Sequence, residues 1–134
     1  MDKKKILIVD DEPDVLRLTS LRLEKQGYEI KTAVNSRDAL SLIQKEKPDL
    51  VLIDVILPIM YGTEICRWVK NDENLRHIPI ILCTVHGEVM TDEKAKSFGA
   101  DDYIVKPFDA KELMNKIERF LTAGTEHCKA TTDC

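Results

Sequence analysis

The sequence predicts an α/β fold in which a five-stranded parallel sheet, in the strand order 2-1-3-4-5, carries helices on both faces. Five short apolar runs alternate with five segments of helical periodicity, a pattern typical of parallel sheets. Three runs are continuous Ile, Leu and Val, as expected for strands covered on both faces. Right-handed crossovers and short connections then favour this strand order.

The five apolar runs are the predicted strands. They comprise residues 5–9, 28–34, 50–53, 78–83 and 103–105. The first, third and fourth are the continuous ones, so we expect them to lie at the centre of the sheet, where both faces are buried.

The first three helices are predicted from apolar spacing and from boundary residues. The first begins at Pro13, which suits a first helical position, and ends before Gly27. Ser36 is the expected cap of the second helix. Apolar residues repeat at helical spacing in the three segments, at Leu16 and Leu23, at Ala39, Leu40 and Ile43, and at Ile65, Cys66 and Val69.

The last two helices differ in how much apolar surface they offer. The fifth has Leu113, Ile117 and Leu121 at four-residue spacing, and Asp109 is its expected cap. The fourth is expected over residues 88–98, before Gly99, and has few apolar residues. It is either a solvated helix at the edge of the sheet or an element held weakly enough to shift.

Size and composition indicate one ordinary globular domain. The chain has 134 residues, of which 43% are hydrophobic and 33% charged. A net charge of −4 argues against direct nucleic-acid binding by this domain. The opening apolar run stops at Asp10, too short for a signal peptide or a membrane span, so we expect a cytoplasmic protein with no membrane partner.

Four cysteines do not change this expectation. Cys66 and Cys83 lie in predicted buried elements, where a free thiol behaves as a small hydrophobe. Cys128 and Cys134 lie near His127 in a polar segment, but no second close pair of ligands completes a metal site. Unpaired thiols in a reducing compartment are the expectation.

Acidic residues gather where the first and third strands end. Asp10 and Asp11 follow the first strand, and Asp54 follows the third, which is its neighbour in the predicted sheet. Three carboxylates in one cleft repel one another. A hard divalent cation such as Mg²⁺ relieves this, because it prefers oxygen ligands. Asp11 as a helix cap and Asp54 as a turn residue are the plain structural alternatives.

A hydroxyl and an ammonium group stand at the ends of the fourth and fifth strands, at the same edge of the sheet. Thr84 follows the fourth strand and Lys106 closes the fifth. Lysine offers a positive charge to a phosphate oxygen, and a threonine hydroxyl offers a neutral donor beside it. Ligands of open parallel sheets bind outside this edge. With the three acids, these residues predict a site for a divalent metal and a phosphoryl group.

Four segments of the chain resemble the receiver domain of two-component response regulators. They are Ile-Leu-Ile-Val-Asp10-Asp11-Glu-Pro, Asp54-Val-Ile-Leu-Pro58-Ile-Met-Tyr-Gly62, Thr84 and Gly99-Ala-Asp-Asp-Tyr103-Ile-Val-Lys106-Pro107-Phe108. The resemblance covers residues 1–121 and implies the flavodoxin-like receiver fold for them. Residues 122–134 show no apolar periodicity, so we expect a disordered tail or a linker stub.

The resemblance implies a role for each matching residue. Asp54 is the expected phosphoacceptor for a phosphoryl group from a sensor histidine kinase or a phosphotransfer protein. Asp10, Asp11 and Asp54, with the backbone carbonyl of Ile56, are the expected Mg²⁺ ligands. Thr84 and Lys106 are expected to hold the phosphoryl oxygens.

The resemblance also implies a switch rather than a turnover enzyme. Tyr103 is the expected switch aromatic, which turns inward with Thr84 and alters the face formed by helix 4, strand 5 and helix 5. A downstream protein target, an output domain missing from this chain, or a phosphorylation-dependent homodimer is the implied recipient of that change. We expect the domain to modify itself and to lose its phosphate slowly.

Several positions depart from the usual receiver pattern. Tyr61 and Val85 stand where smaller residues are more common, and Val85 can crowd the approach of the phosphoryl group or limit Thr84. Ile56 and His86 flank the site; an apolar Ile56 hinders an attacking water, whereas His86 either positions that water or faces solvent.

Alternative functions fit less well. A phosphatase of the haloacid dehalogenase type needs an acid two residues after its nucleophile, where this chain has Ile56. A nucleotide-binding protein would carry a glycine-rich loop in place of the acidic turn after the first strand. A receiver-like protein-binding module that acts without phosphorylation remains as the second reading.

Overall fold

The computed structural model describes residues 3–87 and 89–130, with the side chains of 122–130 excepted. Five parallel strands form one sheet in the order β2-β1-β3-β4-β5, as predicted. The strands are β1 (Lys5–Val9), β2 (Glu29–Ala33), β3 (Leu50–Asp54), β4 (Ile80–Thr84) and β5 (Asp102–Val105). Asp54 and Thr84 are therefore the last residues of their strands rather than the first residues of loops.

Four helices connect the strands, and a fifth follows β5. They are α1 (Pro13–Lys25), α2 (Ser36–Glu46), α3 (Gly62–Lys70), α4 (Asp92–Ser97) and α5 (Ala110–Ala130). The predicted helix starts at Pro13 and Asp109 are confirmed, because Pro13 is the first residue of α1 and the Asp109 carboxylate accepts the Glu112 N–H at 3.3 Å. Gly27 and Gly99 follow α1 and α4 with φ of 99° and 92°.

Two predicted boundaries were wrong. Asn35, not Ser36, caps α2, and its side chain accepts the Asp38 N–H at 2.8 Å. The fourth helix begins at Asp92 rather than residue 88, because the Thr91 side chain caps it by accepting the Lys94 N–H at 3.1 Å. Residue 88 itself lies outside the described residues.

The helices cover both faces of the sheet and bury two apolar layers. On one face α2, α3 and α4 pack over residues such as Leu7, Val51 and Leu82. On the other face α1 and α5 pack over residues such as Ile6, Leu52 and Ile81. Neighbouring residues of one strand thus point into opposite layers. The central strands are therefore fixed on both faces, which holds the ends of β1, β3 and β4 in place.

The fifth helix extends past the expected end of the domain at residue 121. Helical backbone continues to Ala130. The predicted disorder of residues 122–134 stays a prediction, and residues 131–134 lie outside the described part of the chain. Among the described residues, no helix combines the length and the hydropathy needed to cross a membrane.

Candidate functional site

The carboxyl ends of four strands bring the predicted site residues to one edge of the sheet. Asp10 directly follows β1, and its N–H donates to the Ala33 carbonyl at 3.1 Å, which continues the β1–β2 ladder. Asp54 ends β3 and Thr84 ends β4. Lys106 follows β5, and its N–H donates to the Thr84 carbonyl at 2.7 Å. Backbone pairing thus sets where each functional side chain starts.

The Lys106 ammonium group joins two of the acids. Its Nζ donates to Asp10 Oδ2 at 2.6 Å and to Asp54 Oδ2 at 2.9 Å. The Lys106 side chain is 10% exposed and that of Asp54 is 13% exposed, so water screens these charges little. A third carboxylate, Glu12, lies at 3.6 Å from the same ammonium and is largely exposed. The lysine therefore bridges strands β1 and β3 across the sheet edge.

Three carboxylates offer a set of oxygens to a cation. Asp10, Asp11 and Asp54 each present an oxygen, and these oxygens lie within 4.8 Å of one another. Asp10 is buried and already accepts the Glu12 N–H through Oδ1 at 2.9 Å, whereas Asp11 is exposed. One lysine cannot balance three negative charges. An all-oxygen donor set with excess negative charge fits a hard divalent cation.

Burial and charge act against each other at Asp54 and Lys106. Burial raises the pKa of Asp54 above its ordinary value, although the hydrogen bond from Lys106 opposes this. Burial alone would lower the pKa of Lys106, but its hydrogen bonds to Asp10 and Asp54 outweigh that and raise it. Lys106 therefore stays charged at neutral pH, and further positive charge nearby would stabilise the ionised form of Asp54.

The loop after β3 is packed tightly against the backbone of Asp54. The Gly62 N–H donates to the Val55 carbonyl at 2.8 Å, which closes the loop. A Cβ atom at Gly62 would lie 2.1 Å from the Asp54 carbonyl oxygen. The Ser36 hydroxyl donates to the Pro58 carbonyl at 3.1 Å and ties the loop to the start of α2. Asp54 is thus positioned by its strand and by the loop behind it.

Thr84 and Tyr103 lie on the neighbouring strands β4 and β5. The Thr84 side chain is buried, and its Oγ1 accepts the His86 N–H at 3.0 Å, which leaves the hydroxyl proton available for donation. Tyr103 pairs with Leu82 in the sheet and is half-buried against the layer formed with α2, α3 and α4. The two residues therefore lie on adjacent strands, two residues apart in register.

The positions that depart from the usual pattern lie on the surface around the cleft. Val85 is 59% exposed, Tyr61 56% and Ile56 53%. Val85 lines a groove together with Lys106 and Pro107, so its side chain lies beside the lysine. The Ile56 N–H lies 3.4 Å from Asp54 Oδ1. Two exposed apolar residues, Ile56 and Val85, therefore lie next to residues of the charged cleft.

The structure brings Asp10, Asp11, Asp54 and Lys106 together, as the sequence predicts for strand ends at one edge. The ligand role of the Ile56 carbonyl and the switch role of Tyr103 stay predictions. Two contributions were missed. The Glu12 backbone N–H orients Asp10, and Gly62 fits against the Asp54 carbonyl. Gly62, eight residues after Asp54, belongs to a segment that resembles the receiver family, but its close approach to the Asp54 carbonyl oxygen is visible only in the structure.

Comparisons with known proteins agree on one protein family. Residues 6–118 match the model of the response regulator receiver domain. The chain is 42% identical over 118 residues to the phosphate regulon transcriptional regulatory protein PhoB of Pseudomonas aeruginosa, a match that covers 88% of this chain and 52% of PhoB. The chain spans about half the length of the curated relatives it matches.

Solved structures are similar over most of the chain. The chemotaxis response regulator CheY4 of Vibrio cholerae superposes with a TM-score of 0.83 at 32% identity, covering 90% of this chain and 100% of CheY4. The response regulator TrrA of Thermotoga maritima, solved with Mg²⁺ and BeF, gives a TM-score of 0.79 at 35% identity, covering 88% of this chain and 99% of TrrA.

Proposed function

The chain belongs to the response regulator receiver domain family, and we propose that it accepts a phosphoryl group on Asp54, with Mg²⁺ bound, from a sensor histidine kinase or a phosphotransfer protein. The observation that carries this proposal is the Lys106 ammonium held between Asp10 and Asp54 at 2.6 and 2.9 Å, beside three carboxylates suited to a divalent cation.

Each residue of the cleft has its own role in the phosphoryl transfer. A carboxylate oxygen of Asp54 bonds to phosphorus while the bond from phosphorus to the donor nitrogen breaks. Lys106 and the Thr84 hydroxyl then hold oxygens of the transferred group, and Lys106 exchanges its contact with Asp54 for one with phosphate. Asp10, Asp11 and Asp54 would hold the Mg²⁺, which supplies neutralisation of the phosphoryl charge.

Positioning accounts for most of the catalysis in such a transfer. The loose transition state of phosphoryl transfer needs little covalent chemistry from the protein. Here the nucleophile, Asp54, is fixed by its place at the end of β3 and by the close approach of Gly62 to its backbone. The Lys106 ammonium group is positioned by β5, which directly precedes it. The domain would therefore catalyse its own modification and would not act as a turnover enzyme.

The modification adds about −1.5 to −2 charges at the end of β3. We expect the Thr84 hydroxyl to move toward the new phosphate and Tyr103 on the adjacent strand to follow it inward. The face of α4, β5 and α5 would then change, either for a downstream protein, for an output domain, or for a second copy. The short α4, with Ala95 as its buried residue, is held by little apolar surface, which favours such a shift.

The apolar rim suggests a long-lived phosphoryl group. Ile56 is exposed beside Asp54 and cannot position or deprotonate a water. We therefore expect slow hydrolysis in the presence of Mg²⁺. A half-life of seconds at neutral pH would contradict this.

A second candidate function is a receiver-like binding module that acts without phosphorylation. The observation in its favour is Val85, a branched side chain that lines the same groove as Lys106. The complete charged set speaks against it, because three acids and a lysine are costly to keep together without a role.

The test is the intact mass of the protein after incubation with acetyl phosphate, with and without Mg²⁺. The proposal predicts one added phosphate that requires the metal and is absent from the Asp54→Asn variant. Asp49→Asn is the matched control, because Asp49 accepts a strand N–H at the opposite end of the sheet.

Two outcomes would contradict the proposal. Uptake that persists in Asp54→Asn would place the phosphoacceptor elsewhere. No uptake by folded protein, in the wild type and in Val85→Ala alike, would favour the binding module.

A further inference from the structure

Glu12 stands at the start of α1 but does not cap the helix. It is the residue directly before Pro13, and its side chain makes no capping hydrogen bond within the described part of the chain. Short polar side chains such as Ser, Thr, Asp and Asn are the ones that stabilise this position. The Glu12 backbone N–H already has a partner in the Asp10 carboxylate, at 2.9 Å. Helix formation therefore does not explain a glutamate here.

The Glu12 carboxylate lies near Lys106 without forming a close contact. Its Oε1 is 3.6 Å from Lys106 Nζ, whereas Asp10 and Asp54 contact the same ammonium group at 2.6 and 2.9 Å. The Glu12 side chain is 63% exposed, and those of the two aspartates are largely buried. Glu12 is therefore the outermost of the three carboxylates around the lysine.

Glu12 also borders the open space from which Lys106 is reached. A groove of about 430 Å³ between α1 and α5 is lined by Glu12, Val85 and Lys106 where it meets the cleft. Lys106 is the residue expected to hold oxygens of the transferred phosphoryl group. A phosphodonor that enters along this groove therefore passes a negative charge before it meets the ammonium group.

The charge of the cleft stays negative even when a divalent metal is counted. The charged groups are four carboxylates and one ammonium group, those of Asp10, Asp11, Glu12, Asp54 and Lys106. A bound Mg²⁺ would add two positive charges and leave one net negative charge. Glu12 supplies that charge, because it is neither in the predicted metal set nor hydrogen-bonded to the lysine. Without Glu12 the loaded cleft would be neutral.

From this placement we propose that Glu12 is a specificity-determining residue, which repels free dianionic phosphodonors such as acyl phosphates and so favours a protein donor. The inference rests on the proposed function, since it concerns which donor phosphorylates Asp54. A free acyl phosphate meets the Glu12 charge without compensation. A phosphohistidine protein can place a basic side chain against Glu12, which turns the same charge into an attraction.

Distance and screening set the size of the effect. A phosphoryl group held by Lys106 would lie roughly 7 Å from the Glu12 carboxylate, one hydrogen bond beyond the 3.6 Å contact. An exposed charge at that range acts through a water-like dielectric, and 0.1 M salt screens about half of it. The repulsion doubles from a monoanion to a dianion. Removal of the Glu12 charge should therefore speed a dianionic donor about threefold and a monoanionic donor less than about twofold.

Initial rates of phosphate uptake from two donors of different charge test the proposal. At pH 7 and saturating Mg²⁺, acetyl phosphate is a dianion and phosphoramidate is mainly a monoanion. Glu12→Gln keeps the size of the side chain but removes its charge, so uptake from acetyl phosphate should rise about threefold and uptake from phosphoramidate less. The difference should fade in high salt. Glu12→Asp keeps the charge and should retain the wild-type ratio of the two rates.

Glu24→Gln is the matched control. Glu24 is exposed on the same helix, near its opposite end, and the substitution changes the net charge by the same amount. It should leave both rates unchanged, because the charge lies far outside the screening distance of the cleft. Circular dichroism of each variant confirms folding, which exposed substitutions should preserve.

Mg²⁺ binding without any donor gives a second readout of opposite sign. In calorimetry Glu12→Gln should bind Mg²⁺ about two- to threefold more weakly, because the removed charge attracts the cation. A substitution that merely disturbed the cleft would weaken Mg²⁺ binding and also slow uptake at saturating Mg²⁺. Weaker metal binding together with faster uptake from the dianion is therefore specific to a charge effect.

Three results would overturn the proposal. These are an unchanged rate from acetyl phosphate in Glu12→Gln, an equal acceleration of both donors that high salt does not reduce, and an unchanged Mg²⁺ affinity. Each would leave uptake at Asp54, and with it the proposed function, intact. Failure of the proposed function looks different, since the wild type and every variant would then take up no phosphate from either donor, and the role of Glu12 would fall with it.

Discussion

Gly62 is the position where one added methyl group should damage the site most selectively. A Cβ atom there would lie 2.1 Å from the Asp54 carbonyl oxygen and 3.0 Å from its carbonyl carbon, whereas ordinary contacts begin near 3.4 Å. The closer atom is therefore about 1.3 Å too near. Both atoms belong to the backbone at the end of a central strand, so neither can rotate away as a flexible side chain would.

The expected cost of Gly62→Ala is large for a single methyl group. Overpacking in a rigid environment costs about 1–3 kcal/mol, and a backbone contact of this kind lies at the upper end. A loss of about 3 kcal/mol corresponds to a fall of about 10 °C in Tm for a domain of this size. The displaced carbonyl also shifts Asp54, so phosphate uptake should fall more than the loss of folded protein accounts for.

Gly27→Ala is the matched control. Gly27 has φ of 99°, yet a Cβ atom there would meet nothing within 4 Å. This substitution should cost only the strain of a left-handed conformation, about 1 kcal/mol. Urea unfolding and phosphate uptake from acetyl phosphate, measured on both variants, make the comparison. Equal unfolding free energies, or normal uptake by Gly62→Ala, would refute the reasoning.

Four further predictions concern charge and burial. Without Mg²⁺, Asp54→Asn should raise Tm at neutral pH, because burial raises the pKa of Asp54 and the ionised form is disfavoured in the fold; the gain should vanish as pH falls through that raised pKa. Lys106→Met should instead lower stability by on the order of 3 kcal/mol at pH 7, since the raised pKa of Lys106 keeps its stabilising charge until strongly alkaline pH. If Asp54→Asn and Lys106→Met changed the free energy of unfolding in urea in the same direction, the two predictions would be contradicted. Lys70→Met should cost about 1–3 kcal/mol, because Lys70 donates to the Ile78 carbonyl at 2.7 Å and to Asp101 at 2.9 Å; exposed Lys45→Met should be nearly neutral, and equal effects of the two would exclude this role. In a Cys128→Ser/Cys134→Ser variant, iodoacetamide at pH 8 should label the native protein slowly, since burial raises the pKa of Cys66 to about 12 and raises that of Cys83 also; rapid labelling would show that the thiols are accessible.

Strand positions and site positions were predictable for the same physical reason. A strand covered on both faces must be apolar until it leaves the sheet, so the polar residues Asp10, Asp54 and Thr84 mark where three strands end. The parallel topology then places those ends at one edge. The contact of Lys106 with two acids depends on the path of a long side chain, which local sequence does not specify.

Helix starts were predicted less well because neighbouring residues compete for the same role. Asn35 and Ser36 can both cap a helix, and the fold uses Asn35 while Ser36 bonds to Pro58. The fourth helix was predicted to start at residue 88, but the Thr91 cap sets its start later. Tertiary contacts decide between such options.

Reductive trapping of the phosphorylated residue tests the central claim most directly. Borohydride converts an aspartyl phosphate to homoserine, and peptide mapping then locates the homoserine in the chain. The account predicts homoserine at position 54 alone, only after phosphorylation with Mg²⁺. Homoserine at position 10 or 11, or none in protein that carries phosphate, would contradict it.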